Sequence, residues 1–153
     1  MDGTTENHAA ALRIVEATSE DIADVIALDE DITGAAKPEF WYKYFFGQAT
    51  RKNSLFLVAR LGDRIVGYSI GSIRAWEFGS PPAGWLHAVG VARDCRKLGI
   101  ATRLFNEITG FFRAQQAATV RTMLHIDDHA LIAFFRFQGL SAGPFIELEM
   151  KLD

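Results

Sequence analysis

Two neighbouring β-rich segments joined by a turn signal constrain the fold of this chain more than any other feature. Ser54–Leu61 (SLFLVARL) and Arg64–Ile73 (RIVGYSIGSI) are rich in apolar and β-branched residues, and Gly62 and Asp63 stand between them. A Gly-Asp pair between two such runs is typical of a tight antiparallel turn. The sequence therefore predicts a β-hairpin around which the other elements pack.

The remaining predicted elements follow in an order typical of an α/β domain. A short strand begins at Leu12, and helices are predicted after the capping pair Thr18 and Asp21 and over Pro38–Phe46. After the hairpin come a strand, a long amphipathic helix, a strand, a helix and a last strand, at 85–91, from 99 onward, at 119–126, from Asp128 and at 145–152. This order predicts a single α/β domain over 12–153, with a mixed central sheet flanked by helices on both faces.

Length, charge and cysteine content exclude several classes of protein. A chain of 153 residues corresponds to one domain, and Met1–Ala11 is small and polar, which predicts a flexible tail. The formal net charge of -3 favours neither nucleic acid nor an anionic membrane as a partner, and no apolar run reaches the ~20 residues of a membrane helix. The lone Cys95 and the absence of a signal-peptide pattern favour a cytoplasmic setting.

A short basic loop between a predicted strand and the long helix has the layout of an anion site. The strand ends in Val89, Gly90 and Val91, and the loop and helix start read RKLGIA: Arg96, Lys97, Leu98, Gly99, Ile100 and Ala101. Glycine allows close approach of the backbone, and the first amides of a helix have no partners inside it. These amides and the helix dipole favour a bound phosphate.

The motif R-x-x-G-x-A, opening a helix after a strand that ends in Val, resembles the GNAT acyltransferases over nearly the whole folded chain. The resemblance implies the GNAT fold, acetyl-CoA as cosubstrate, loop amides of 96–101 around the pyrophosphate, and pairing of Val89–Val91 with the pantetheine arm. The family's second landmark, N-x-x-A-x-x-x-Y-x-x-x-G-F, is similar to Asp128–Leu140 (DHALIAFFRFQGL) only in its frame. It implies that Asp128, at the Asn position, and Phe135, at the Tyr position, belong to the cofactor site.

Acetylation of an amine requires a base, and His87 is the first candidate. It lies on the strand that leads to the basic loop, and Leu86–Val91 (LHAVGV) is similar to the strand of serotonin N-acetyltransferases in which a histidine relays the proton. His125 is a second candidate. The resemblance also implies that a backbone N–H of Val89 or Val91 polarises the thioester carbonyl.

The group that protonates the departing thiolate is left open by the sequence. The family's acid is a tyrosine, and Phe135 at its position has no proton to donate. Tyr68, Ser72 or solvent are the alternatives. A CoA thiol has a pKa close to the ~8.5 of cysteine, so it can also leave as an anion.

The acceptor is predicted to be a small-molecule amine, and an aromatic pocket wall would favour a small aromatic or apolar amine, or a flat acid that bears an amino group. The candidate wall residues are Phe40, Trp41, Tyr44, Phe45, Trp76 and Phe78. Arg51 and Arg74 can pair with a carboxylate. The acidic run Asp29–Asp31 can attract a cationic amine, although such a run at a helix end is usually a solvated face.

Two other functions remain open, namely N-acetylation of a protein and non-catalytic binding of acyl-CoA by a sensor. Family members that modify ribosomal protein amino termini carry a Glu base where this chain has Met123, which argues against the first, and Phe135 supports the second. The spacing of the histidines indicates no metal site. Formation of a homodimer through Phe145–Leu152 as an edge strand is also open.

Overall fold

The computed structural model describes residues 11–47 and 51–153. The predicted tail Met1–Ala11 therefore lies outside the described residues, except for Ala11 itself. The chain forms two compact units, one ending at Thr122 and the other covering Met123–Asp153.

The first unit contains a mixed five-stranded sheet and three helices. Strands β1, β2, β3 and β4 pair antiparallel in chain order, and β5 pairs parallel with β4 at the edge. This confirms the α/β class and the mixed sheet. The elements in chain order are β1 (Leu12–Glu16), α1 (Ile22–Thr33), α2 (Pro38–Gly47), β2 (Ser54–Leu61), β3 (Arg64–Arg74), β4 (Ala83–Val91), α3 (Ile100–Ala114) and β5 (Val120–Arg121).

The turn and cap signals lie where the sequence places them. Leu61 pairs with Arg64 across the predicted hairpin turn, in which Gly62 has a φ of 64°. The backbone N–H of Thr18 donates to Asp21 Oδ2 at 2.8 Å and completes a capping box before α1. The hairpin and the start of α1 are therefore confirmed.

The sheet buries one face against α1 and α2 and the other against α3. On the first, the α1/α2 face, Trp41 and Val25 pack with Phe56 and Tyr68 in one buried cluster. On the α3 face the packing is closest at Gly84, where a Cβ atom would lie only 2.2 Å from Cδ2 of Phe112. Helices therefore cover both faces, and glycine at this position of β4 is required for α3 to approach the sheet.

The second unit contains one helix, α4 (His129–Phe137), which begins as predicted at Asp128. Asp128 Oδ1 accepts the backbone N–H of Leu131 at 3.1 Å, which is an N-cap hydrogen bond. Gly139 follows the helix with a φ of 102°, the left-handed conformation expected just after a helix end.

Two predicted strands differ from the structure. The strand expected over 119–126 is only Val120–Arg121, and the segment Phe145–Leu152, expected as a last strand, has no strand structure. A strand is defined by backbone pairing, and the five strands of the sheet do not include this segment. Its side chains at Ile146, Leu148, Met150 and Leu152 are all more than three-quarters exposed. An alternating apolar pattern alone therefore did not identify a paired strand.

Candidate functional site

The short strand β5 pairs in parallel with β4 only near the start of β4. Gly84 pairs with Val120 and Trp85 with Arg121, and Thr122 Oγ1 donates to the carbonyl of Leu86 at 2.9 Å. Beyond this point Val89–Val91 pair with β3 only. Among the described residues of the first unit, one edge of β4 therefore has no strand neighbour along the residues that the GNAT resemblance assigns to the pantetheine arm, as strand addition by a ligand requires.

His87 is the extra residue of a β-bulge in β4. Ala88 pairs with Ile70 and Leu86 pairs with Gly71, so His87 has no partner on β3. A bulge changes the direction of a side chain relative to the regular pleat. The imidazole here lies on the α1/α2 face, where its ring centroid is 6.2 Å from that of Tyr44.

Ser72 holds the imidazole of His87. The Oγ atom of Ser72 lies 2.6 Å from Nε2 of His87, a hydrogen bond whose direction depends on the histidine tautomer. Loss of hydration lowers the pKa of His87 below its usual 6.5, and the positive charge of Arg74 lowers it further. His87 is therefore neutral at pH 7 and can accept a proton.

The basic loop has the backbone of an anion site at its junction with α3. Gly99 is the N-cap of α3 with a φ of 77°, and no side chain caps the helix. The first turn also has no acidic residue, although acidic residues are favoured at a helix start. Lys97 has a φ of 71°, which costs a residue with a side chain about 1–2 kcal/mol. Strain of this kind is often retained at binding sites.

The acidic residue of the loop, Asp94, pairs with Arg64 of β3 and therefore does not neutralise the basic residues of the loop. Arg64 donates two hydrogen bonds to Asp94, at 2.7 and 2.8 Å, and these hold the pKa of Asp94 at about 2. Arg96 donates from Nε to the carbonyl of Val91 at 3.4 Å, which links the loop to the end of β4. The side chain of Leu98 is 64% exposed, as suits a loop that a ligand can cover.

Asp128 and Phe135 lie in the second unit, and their predicted cofactor roles remain predictions. Asp128 caps α4, so its carboxylate already has a structural use. Phe135 is buried, with 4% of its surface exposed. A core position for this ring explains why the residue is apolar.

Tyr68, one of the alternatives for the acid, is committed elsewhere. Its hydroxyl donates to Asp29 Oδ1 at 2.9 Å, and burial together with this carboxylate raises the pKa of Tyr68 strongly. A phenol whose proton is held by a carboxylate is a poor donor to a thiolate. The remaining candidates for protonating the thiolate are solvent and the Ser72–His87 pair.

Three of the four helical members of the predicted aromatic wall face the core, and the fourth, Phe40, is 48% exposed. Trp41 and Tyr44 are buried in the core on the α1/α2 face, and Phe45 packs against the same core. Trp76 and Phe78 are 71% and 78% exposed in the loop after β3. The periodicity of α2 did not show which aromatic rings the sheet covers.

Asp29 is buried, contrary to the prediction of a solvated acidic face. It accepts hydrogen bonds from Trp41 Nε1 at 3.0 Å and from the Tyr68 hydroxyl, and its Oδ2 lies 3.0 Å from Lys37 Nζ. These partners come from α2, β3 and the segment before α2, so they are distant in sequence from the acidic run. Asp29 therefore joins α1 to the sheet and does not attract an acceptor.

The cavity beside His87 is polar. It has a volume of about 540 Å³ and lies where β2, β3 and β4 meet the loop after β3. Arg51, Ser72, Arg74 and His87 were each candidates from the sequence, but the cavity that they share was not predictable from it. Its polar lining residues are Arg51, Asn53, Ser54, Ser72, Arg74, Glu77 and His87.

Metal and membrane features are not found in the described part of the chain. Among residues 11–47 and 51–153, no group of three His, Cys, Asp or Glu side chains is placed to hold a metal ion. Within the same ranges, no helix has the length and apolar character needed to cross a membrane.

Comparison with known families identifies the family of this chain. The model of the acetyltransferase (GNAT) family matches residues 22–140. The chain belongs to the GNAT acetyltransferase family and is therefore an acyltransferase by class. No curated protein matches the chain.

Solved structures share the fold at low sequence identity. The aminoglycoside N-acetyltransferase AAC(6')-Iy in complex with CoA has a TM-score of 0.83 at 11% identity, covering 95% of this chain and 97% of its own. A transcriptional regulator from Bacillus halodurans C-125 has a TM-score of 0.78 at 19% identity, covering 93% and 100%. AAC(6')-Ih from Acinetobacter baumannii has a TM-score of 0.78 at 17% identity, covering 94% and 100%.

Proposed function

We propose that this protein transfers the acetyl group of acetyl-CoA to the amine of a small molecule by direct attack. The observation that carries the proposal is the position of His87, which is neutral, held by Ser72 and exposed to a cavity next to the open edge of β4. The family supplies the reaction class. Neighbours with the same fold include enzymes named for the acetylation of aminoglycosides, which are small-molecule amines.

The pyrophosphate of acetyl-CoA would bind at the start of α3. The backbone amides of Arg96–Ala101 would donate to its oxygens, since Gly99 contributes no capping side chain. Val89–Val91 would pair through their backbone with the pantetheine arm. Asp128 and Phe135 remain candidates for the same cofactor site on the family resemblance alone.

In the proposed reaction the amine nitrogen attacks the thioester carbon. A C–N bond forms, the C–S bond breaks, and CoA leaves as its thiolate. His87 takes the proton that the amine loses, most directly at Nδ1 when Nε2–H donates to Ser72 Oγ. The thiolate then takes a proton from solvent, which its pKa near ~8.5 permits.

Release of free CoA thiol from acetyl-CoA tests the proposal. The purified protein would be assayed with aromatic amines, amino acids, polyamines, aminoglycosides and lysine peptides, and with acetyl-CoA alone as the background. Release that depends on a small-molecule amine supports the proposal, whereas release only with peptides favours a protein acetyltransferase. Calorimetric binding of acetyl-CoA with no release from any acceptor favours the sensor and overturns catalysis.

We also propose that two copies associate through Phe145–Leu152. Within the segment Ile146, Leu148, Met150 and Leu152 are each more than three-quarters exposed, and an exposed row of large apolar side chains is typical of an interface. Light scattering after gel filtration should show a dimer, and Leu148→Glu should shift it to a monomer. A wild-type monomer at micromolar concentration would contradict the association.

A further inference from the structure

The cavity beside His87 carries a cationic wall. Of the residues that line it, Arg51 and Arg74 are positive, and Glu77 is the single carboxylate. Glu77 forms an ion pair with Arg74, so these two charges partly offset each other and Arg51 supplies the net positive charge. The lining has two guanidinium groups against one carboxylate, which favours an anionic group in the ligand.

Arg74 has a fixed position. Its guanidinium carbon lies 5.2 Å from the centroid of the Trp85 ring, a cation–π contact, and its Nη2 pairs with Glu77. Trp85 and Ser72 pair across β3 and β4, so the contact lies on the same face as His87. A guanidinium supported by a ring and a carboxylate is already oriented, which reduces the entropy lost when it binds a ligand.

The positive charge of Arg74 affects the pKa of the proposed base, His87. It contributes to the lowered pKa of His87, after the loss of hydration. The same field would lower the pKa of an amine bound beside His87, since a nearby positive charge disfavours the protonated form. This field would assist an amine that must lose its proton.

We infer that the acceptor is an amine that also carries a carboxylate, held by Arg74 and Arg51 while its amine faces His87. This inference rests on the proposed acetyl transfer. A carboxylate can accept two parallel hydrogen bonds from a guanidinium, a geometry that amides and alcohols do not match. The volume of about 540 Å³ is that of a site for a small molecule. Aminoglycosides, which are polycationic, fit this lining poorly.

Paired acceptors isolate the carboxylate. Phenylalanine, phenylalaninamide and 2-phenylethylamine share a ring and an amine, and 4-aminobenzoate and 4-aminobenzamide form a second set. The carboxylate member should have the highest kcat/KM within its set, by about tenfold or more, since a charge-assisted pair contributes about 1.5–3 kcal/mol. A preference for the amides, the decarboxylated amine or an aminoglycoside would overturn the inference and leave acetyl transfer standing.

Arginine variants test whether Arg74 and Arg51 cause the preference for a carboxylate acceptor. Arg51→Gln should lower kcat/KM for the carboxylate substrate about tenfold, mainly through KM, and leave the matching amide nearly unchanged. Arg74→Gln also removes the charge that acts on His87, so it should lower kcat/KM for both substrates, with a loss about tenfold greater for the carboxylate. Arg113→Gln, near the end of α3, is the control with the same charge change. Equal losses for acid and amide in the Arg74 variant would show a structural role and contradict the assignment.

Binding without turnover separates this inference from the proposed function. Calorimetry would measure the same carboxylates and amides against the protein loaded with CoA. One outcome is that the carboxylates bind to the wild type but not to Arg74→Gln, while no acceptor is acetylated. This result would support the ligand class and reject the proposed catalysis. Equal or no binding of the carboxylate and amide members would overturn the ligand class.

Discussion

The Oγ atom of Ser72 lies 2.6 Å from Nε2 of His87, across a bulge that removes His87 from the regular pairing of β3 and β4. The bond connects the proposed base to a residue of the neighbouring strand. It therefore fixes the ring orientation, and its direction sets which ring nitrogen can accept a proton.

His87→Gln should lower kcat about 100-fold at neutral pH, because general base catalysis is lost. The pKa of His87 is lowered from 6.5, so the limb of the wild-type profile that reports protonation of the ring should lie below pH 6.5, separate from the limb set by the amine. The variant should lose this limb, and its deficit should shrink at high pH, where the amine is already neutral. An unchanged pH profile would remove His87 from the mechanism.

Ser72→Ala should lower kcat about fivefold, the effect of one hydrogen bond of about 1 kcal/mol, with little change in the KM for acetyl-CoA. Ser69→Ala is a matched control on the same strand. The Ser69 hydroxyl is buried without a hydrogen-bond partner, so its removal should leave kcat unchanged and leave stability equal or higher. Equal effects of the two changes on kcat would contradict a positioning role for Ser72.

Gly99→Glu should abolish CoA binding while the fold persists, since it places a carboxylate beside the proposed pyrophosphate site. Gly99 has a φ of 77° and no atom within 4 Å of a built Cβ, so the change brings only backbone strain of about 1–2 kcal/mol. Gly34→Glu is the control, because Gly34 has a φ of 82° and equally open surroundings at the end of α1. Calorimetry with CoA measures both, and intact binding in the Gly99 variant would refute the loop assignment.

Asp29→Ala should lower the free energy of unfolding by about 3 kcal/mol, because Trp41 Nε1 and the Tyr68 hydroxyl lose their acceptor. Asp29→Asn keeps one amide oxygen as acceptor and should lose less. Asp31→Ala, at an exposed residue of the same helix, should change stability by less than about 0.5 kcal/mol. Urea denaturation measures all three variants, and similar midpoints for Asp29→Ala and Asp31→Ala would contradict the buried network.

Gly84→Ala should destabilise the fold by about 1–3 kcal/mol, since its methyl group would overlap the Phe112 ring. Part of the loss should be recovered in Gly84→Ala/Phe112→Leu, and a double-mutant cycle measures this coupling. Gly110→Ala has open space around the new methyl group and should stabilise α3 by about 0.5–1 kcal/mol. The same sign for both glycine changes would argue against the close approach of α3.

Features set by a few adjacent residues were predictable from the sequence. The hairpin at Gly62, the capping box of Thr18 and the glycine start of α3 each depend on local backbone chemistry. The burial of Asp29 and of Trp41 was not predictable, because it depends on partners from three separate elements. Hydrophobic periodicity gave helix α2 but not the side that the sheet covers.

For the candidate site, the residues were predictable from the sequence but their arrangement was not. Family resemblance selected His87 and the basic loop, but strand register decides the direction of the imidazole, and a one-residue irregularity leaves no mark in the sequence. The cavity with Arg51 and Arg74 likewise required the relative placement of β2, β3 and the loop after β3. In Phe145–Leu152 the opposite occurs: the alternation of apolar and polar residues predicts a strand, and the structure has no strand there.

The bulge in β4 also bears on how such an enzyme can change. Because His87 is itself the supernumerary residue, loss of its single codon would leave Leu86 opposite Gly71 and Ala88 opposite Ile70, as they are now. Both faces of the sheet would keep their present packing. The proposed proton acceptor is thus an extra residue on which the pairing of β3 and β4 does not depend, so one in-frame deletion would remove the proposed base and keep the register of the sheet.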